Sequence, residues 1–255
     1  LIPPFGNYKK NYQFFSLPFM RTETIIPGLL SRLDREVFNK IFTVHSTHSE
    51  FEKMYRVENQ KYKSVGRLGE NTPQILKQQK KLLKEVNNIL SKSLKLKLNL
   101  KNLRIGNESY ITFTADDLRS SKFKSIKMSL AGKGFNSIIP YLTEAFNHKD
   151  SYVIMEEMEN SLHPSAVSPI LEILAKSKNG NKYILETHSE NIVLKIQQLV
   201  KNKAIMPEDV SINYVSRNKS ESTIKNIQLD KNGNFINKWP EEFFPERKNI
   251  ILNRD

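Results

Sequence analysis

Residues 152–157, Tyr-Val-Ile-Met-Glu-Glu, decide how this chain is read: four mostly apolar residues run straight into two acids. The run predicts a buried strand over Tyr152 to Met155. In an open parallel sheet the carboxyl ends of the strands face the ligand crevice, so Glu156 and Glu157 stand where acids can hold a metal ion and orient a water.

The sequence on either side supplies the sheet. Gly132 and Gly134 mark a loop that leads into a helix from about Asn136 to Phe146. After the acids, Pro164 opens a helix to about Lys176, Tyr183 to Leu185 reads as a strand, Glu190 to Lys201 as a helix and Ser211 to Val215 as a further strand. Strands alternating with helices predict an α/β fold, a parallel sheet covered by helices.

Two more segments fall at the same edge of that sheet. Thr187-His188-Ser189 follows the strand Tyr183 to Leu185 and precedes a helix. An imidazole there can hydrogen-bond a phosphate oxygen or an attacking water; equally, Ser189 can cap the helix with His188 incidental. Ser129-Leu130-Ala131-Gly132-Lys133-Gly134 can present a hydroxyl, backbone amides and a helix N-terminus to phosphate, or be a plain glycine-rich turn. The order of these pieces favours one site over three coincidences.

Met128 to Leu142 (MSLAGKGFNSIIPYL), Tyr152 to Pro164 (YVIMEEMENSLHP) and Leu185 to Ile196 (LETHSENIVLKI) resemble the C-terminal half of AAA-type ATPases with ABC architecture, relatives of the OLD, RecF and SMC heads. The likeness runs from about Ser64 to Arg247, and Trp239-Pro240 with Phe243-Phe244 resembles the C-terminal extension of one branch. It implies a P-loop NTPase of ABC type, with ATP and Mg²⁺ as cofactors. Glu156 resembles the magnesium-side acid of Walker B, Glu157 the catalytic glutamate and His188 the switch histidine. Ser129, Gly132 and Gly134 resemble the signature loop, which touches the ATP held by the opposite subunit. Glu159, Leu162, His163 and Pro164 match the segment near the dimer seam, where His163 is as readily a packed helix-start residue.

The chain departs from this family twice. Met158 stands where the branch often has proline, and no Gly-x-x-x-x-Gly-Lys-Ser/Thr occurs in the 255 residues. Without that loop the β- and γ-phosphates lack their cradle. The reading therefore expects the Walker A half N-terminal to Leu1 or on a separate chain, and expects this chain to be inactive alone.

The sequence divides into an irregular aromatic segment over 1–62 with a helix near Leu30 to Ile41, a basic helix-and-strand lobe over 63–128, the ATPase core over 129–217, and a hairpin and tail over 218–255. In the lobe, Gln74 to Leu90 has helical spacing. Leu94, Leu96, Leu98 and Leu100 alternate with Lys95, Lys97, Asn99 and Lys101, as in a half-buried strand, with Tyr110 to Thr114 continuing its sheet. Thr223 to Leu229 turns through Asp230-Lys231-Asn232-Gly233 into Phe235.

The formal net charge is +13, and between Lys77 and Lys133 fourteen Lys or Arg stand against four acids. Such a field suits DNA or RNA at Lys95, Lys97, Lys101 and Arg104, or a solvated lysine-rich face. With no cysteine, disulfides and thiolate metal sites are excluded, a cytoplasmic home is the simplest, and no apolar run is long enough to span a bilayer. The expected partners are a second ATPase head, a Walker A-bearing chain or segment, an effector protein and a nucleic acid, in DNA-related or anti-phage defence work. The alternative is a non-catalytic split or degenerate head that scaffolds a nuclease or toxin and binds nucleic acid.

Overall fold

The computed structural model describes residues 40–46, 51–119, 125–160, 162–217 and 221–237, with the backbone of 12–15. In chain order its elements are β1 (Tyr12–Phe15), β2 (Ile41–Val44), β3 (Tyr55–Arg56), α1 (Thr72–Gln78), α2 (Lys80–Leu94), β4 (Leu96–Ile105), β5 (Glu108–Asp117), β6 (Ile126–Lys127), α3 (Lys133–Asn147), β7 (Tyr152–Glu156), α4 (Pro164–Ala175), β8 (Lys182–Glu186), α5 (Glu190–Lys201), β9 (Val210–Arg217) and β10 (Ser222–Ile227).

The larger sheet has the order β10-β9-β1-β8-β7-β2. Every pairing in it is parallel except β9 with β10. Strand β7 falls where the sequence predicts, but it is buried on one face only, with Val153 and Met155 buried, and β8 repeats the pattern with Tyr183 and Leu185. Register pairs Met155 with Leu185 and Glu156 with Glu186, so the two acids finish neighbouring strands side by side.

A second, antiparallel sheet of β3, β5, β4 and β6 is inserted between β2 and β7. Its long hairpin β4–β5 turns at Gly106-Asn107, where Gly106 has φ +59°. A two-residue turn of that hand matches the twist of the flanking strands and favours glycine. One buried cluster runs from Leu98, Ile111 and Phe113 of this sheet through Ile138, Ile139 and Leu142 of α3 to Val153, Ile170 and Ile196.

Several expectations change. Residues 12–15 and 41–44, taken as irregular from the sequence, supply two parallel strands of the main sheet. Four residues are too few to establish a period, and the sheet itself selects the conformation. The helix expected near Leu30 to Ile41 lies outside the described residues, except that Ile41 opens β2. Trp239, Phe243 and Phe244 also lie outside them. The single helix expected over 74–90 is two helices broken at Gln79, where φ −115° and ψ 79° depart from the helix. No glycine or proline marks the break; the Gln79 side-chain amide is tied to Asn147 Oδ1 of α3 at 2.7 Å, a tertiary contact no local pattern reveals. Leu94 and Lys95 close α2 rather than open the strand, Lys95 taking a left-handed φ of 56°. The two-residue strands β3 and β6 were not expected, and the tail hairpin differs: β10 pairs antiparallel with β9, while the Asp230 turn brings Leu229 opposite Phe235 in a single bridge.

Among the described residues no helix is long and apolar enough to cross a membrane.

Candidate active site

Three parallel strand ends meet at one edge of the main sheet: His45 follows β2, Glu156 and Glu157 finish β7, and Glu186-Thr187-His188 finish β8. In an extended strand consecutive side chains point to opposite faces. Glu157 breaks that alternation with φ +45°, a conformation rare for a residue with a side chain, and its N–H donates to Glu186 O at 2.8 Å. Asn160 N–H then donates to Glu157 O at 2.8 Å, closing a tight turn. Backbone strain of this kind lets adjacent acids serve one edge.

Glu156 is held from the β2 side. His45 Nδ1 lies 2.6 Å from Glu156 Oε2, and Arg67 Nε donates to His45 Nε2 at 2.7 Å. Arginine only donates, so His45 Nε2 accepts and its Nδ1 carries the proton given to Glu156. Arg67 also returns a backbone bond, His45 N–H donating to Arg67 O at 3.0 Å. Beneath them the Tyr141 hydroxyl of α3 bonds Glu156 O and lies 3.1 Å from His45 O. Burial, then the carboxylates of Glu159, Glu156 and Glu157, push the Tyr141 phenol far above its ordinary value, so it stays a donor.

On the β8 side His188 Nε2 is 3.5 Å from Glu157 Oε1. His188 is 69% exposed and Glu157 34%, so the pair is open to an incoming ligand. Glu157, Glu159, Asn160, His188 and Ser189 line one shallow depression. Ser189 stands at the cap position of α5 without a side-chain cap bond; its N–H goes instead to Thr187 Oγ1 at 2.9 Å. His163 is a helix cap: its Nδ1 accepts from Ser165 N–H at 3.3 Å.

The glycine-rich segment is separate from that depression. Buried Met128 anchors it, and the Asn136 side-chain amide donates to Met128 O and Ala131 O at 3.2 and 3.3 Å. Ser129 and Gly132 are exposed and Leu130 is 77% exposed. Gly132 has φ −58°, and a β-carbon there would meet nothing within 4 Å.

The basic residues divide. Lys97 and Lys101 share one exposed face of β4, Arg104 takes the other by alternation, and Lys95 caps α2. Asp116 is opposite Lys97 in register, and Ser125 and Asn99 hold its carboxyl below the usual range.

The acid edge fits a divalent cation of the magnesium kind, which needs one or two carboxylates and takes its other ligands from water and phosphate. Glu186 reports the crowding: burial first, then Glu156, raises its carboxyl above the usual range, with His188 opposing and Glu157 and Glu159 adding. No group of three or more His, Cys, Asp or Glu forms a full metal cage among the described residues. A carboxyl raised in the folded state contributes stability below its unfolded pKa and loses it as pH rises through the folded value. Glu186→Gln should therefore raise the melting temperature at pH 7.5 by roughly 2 °C and leave it unchanged at pH 4, read by paired thermal melts. An equal shift at both pH values would trace the effect to packing instead.

His45, Arg67, Tyr141 and Glu186 were not legible as site residues. Only Glu186 carried a sequence signal, as the acid ending an apolar strand in the same manner as Glu156.

No curated protein matches the chain. Among solved structures it is similar to the Smc head domain with an extended coiled coil bound to the C-terminal domain of ScpA from Pyrococcus furiosus, at 12% identity and TM-score 0.44, over 72% of this chain and 40% of that one. It also resembles an SMC ATPase described for ATP-driven dimerization and DNA-stimulated activation, at 10% identity and TM-score 0.47, over 72% of this chain and 99% of that one. The chain thus spans less than half the length of the first of these. Residues 205–251 match a family described as a protein of unknown function, DUF3696. Residues 29–194 match the family described as "AAA domain, putative AbiEii toxin, Type IV TA system". With a mainly parallel α/β sheet, acids closing β7 and that match over more than half its length, the chain has the P-loop NTPase fold and belongs to this family of AAA-type ATPases.

Proposed function

We propose that this chain forms the hydrolytic edge of an ABC-type ATPase head, with ATP sandwiched between it and a second head. The observation that carries the reading is the pair Glu157 and His188, 3.5 Å apart, exposed, and ending neighbouring parallel strands. Glu156, oriented by His45, holds the magnesium side; Glu157 accepts a proton from the attacking water; His188 steadies that water or a γ-phosphate oxygen. Bound Mg²⁺ would neutralise charge on the β- and γ-phosphates. Ser129, Gly132 and Gly134 face the nucleotide held by the opposite head. The AbiEii-type family match supports a toxin–antitoxin or other defence setting, and an OLD-like branch fits the same reading.

The phosphate cradle is the missing part. The carboxyl end of β1 faces the same edge, between β8 and β9, yet Ser16 to Thr24 (SLPFMRTET) contains no P-loop. In this reading a Walker A-bearing segment or partner chain supplies the grip on the β- and γ-phosphates.

Gly132 gives the sandwich its test. Neither backbone conformation nor packing among the described residues requires glycine there, and glycine is used where another molecule approaches the backbone closely. In the complete, P-loop-bearing assembly, Gly132→Ala should leave the melting temperature within about 1 °C and cut Mg–ATP-driven head association and hydrolysis by roughly tenfold or more. Light scattering and phosphate release check it. No ATP binding by any assembly, or a Gly132→Ala protein that dimerises and hydrolyses normally, would sink the reading.

A second reading, a non-catalytic scaffold binding nucleic acid, is favoured by Lys97 and Lys101 on one exposed face and the absent P-loop. It predicts salt-sensitive nucleic-acid binding that does not depend on ATP.

A further inference from the structure

Glu159 lies two residues beyond the Glu157 turn, with its own backbone fixed by Leu162 N–H donating to Glu159 O at 2.9 Å. Its Oε1 accepts the Thr187 hydroxyl and also the His188 N–H at 3.2 Å. Thr187 Oγ1 accepts Ser189 N–H at 2.9 Å, so the proton of Thr187 goes to Glu159 while a lone pair holds the start of α5. The other carboxylate oxygen, Oε2, is buried without a hydrogen-bond partner. All the hydrogen bonding of this side chain thus runs to the loop after β8.

We propose that Glu159 is a positioning residue that fixes His188 against Glu157 by tying the loop after β7 to the loop after β8. Two straps cross between the loops: Glu157 N–H to Glu186 O sets the first, and the Glu159 carboxylate sets the second one turn on. Between them the imidazole of His188 comes within 3.5 Å of the Glu157 carboxylate although its side chain is 69% exposed. An exposed side chain is placed by its backbone, and the backbone amide of His188 is the atom Glu159 grips.

The catalytic consequence rests on the ATPase reading above, while the latch itself can be read without nucleotide. The experiment compares Glu159→Ala, Glu159→Gln, Thr187→Val and the wild type in the complete, P-loop-bearing assembly. Amide hydrogen exchange at His188 is measured without ATP, and kcat and KM for ATP are measured with it. Glu159→Ala should speed exchange of the His188 amide at least tenfold. It should lower kcat by on the order of ten- to a hundredfold, as a misplaced catalytic group does, with KM within about twofold. Glu159→Gln keeps an oxygen for both donors and should stay within about threefold of wild type in every reading. Thr187→Val removes one of the two bonds and should fall between, which also covers an alanine variant that does not fold. An unchanged His188 amide in Glu159→Ala and Thr187→Val overturns the latch. So does a loss of kcat matched by an equal rise in KM, or a Glu159→Gln protein as impaired as the alanine variant. If the wild type hydrolyses no ATP, the ATPase reading fails and the exchange result alone decides the latch.

Discussion

Glu157→Gln should abolish most ATP turnover, by on the order of a hundredfold to a thousandfold, and leave Mg–ATP binding intact. The size of the effect follows from what changes. Glutamine has the shape of glutamate and accepts the same backbone conformation, so the left-handed turn at φ +45° and its bond to Glu186 O are retained. Only the capacity to take a proton is lost. Because the side chain is about a third exposed and its approach to His188 is long, at 3.5 Å, melting temperature should move by no more than about 1 °C. Phosphate release and isothermal titration with ATP, made on a complete P-loop-bearing assembly, check the two halves of the claim. Heads that bind ATP and cannot hydrolyse it should also accumulate as the associated form. Turnover at the wild-type rate would remove Glu157 from the chemistry; loss of ATP binding would make it a binding residue.

The parts of the site that were legible share one property: each is announced by its neighbours in sequence. Glu156 and Glu157 end an apolar run, and Thr187-His188-Ser189 sits between an apolar strand and a helix, so local pattern placed both at one sheet edge. Arg67 and His45 have no such announcement. They meet because the loop before α1 folds back on the end of β2, a juxtaposition made by tertiary packing. Arg104, a nucleic-acid candidate with Lys97 and Lys101, is put on the other face from them by the parity of β4. The turn Gly106-Asn107 held a usable hairpin signal, and with it the antiparallel pairing of β4 and β5 was within reach of the sequence. Strands β1 and β2 were not, since four residues show no period.

Glu144→Ala should be the most destabilising substitution of a charged residue near this site, costing about 3 kcal/mol, or roughly 6–12 °C in melting temperature. Glu144 lies in the last turn of α3 and is fully buried, at 0% exposure. Its Oε2 accepts Val65 N–H at 2.8 Å, and its Oε1 lies 3.3 Å from His148 Nε2, a close approach without the alignment of a hydrogen bond. Alanine would leave the Val65 amide unsatisfied and His148 without its carboxylate, still stacked on Phe42 of β2 at 3.4 Å between ring centroids. Glutamine keeps the oxygen for Val65 and most of the volume, so it should cost clearly less, about 1 kcal/mol. The loss should also reach the acid edge. Val65 is two residues before Arg67, and at Gly69 of the same loop an added β-carbon would come within 2.7 Å of Pro140 of α3, so the loop is seated directly on that helix. Loosening it would release Arg67 from His45, and His45 would then hold Glu156 less firmly. Arg67→Ala separates the two effects: exposed Arg67 adds little to stability, so its variant should weaken magnesium-dependent ATP binding with almost no thermal shift, whereas Glu144→Ala should show both. A Glu144→Ala protein that melts within 2 °C of wild type would mean that α3 and the loop before α1 are held together by their apolar contacts alone.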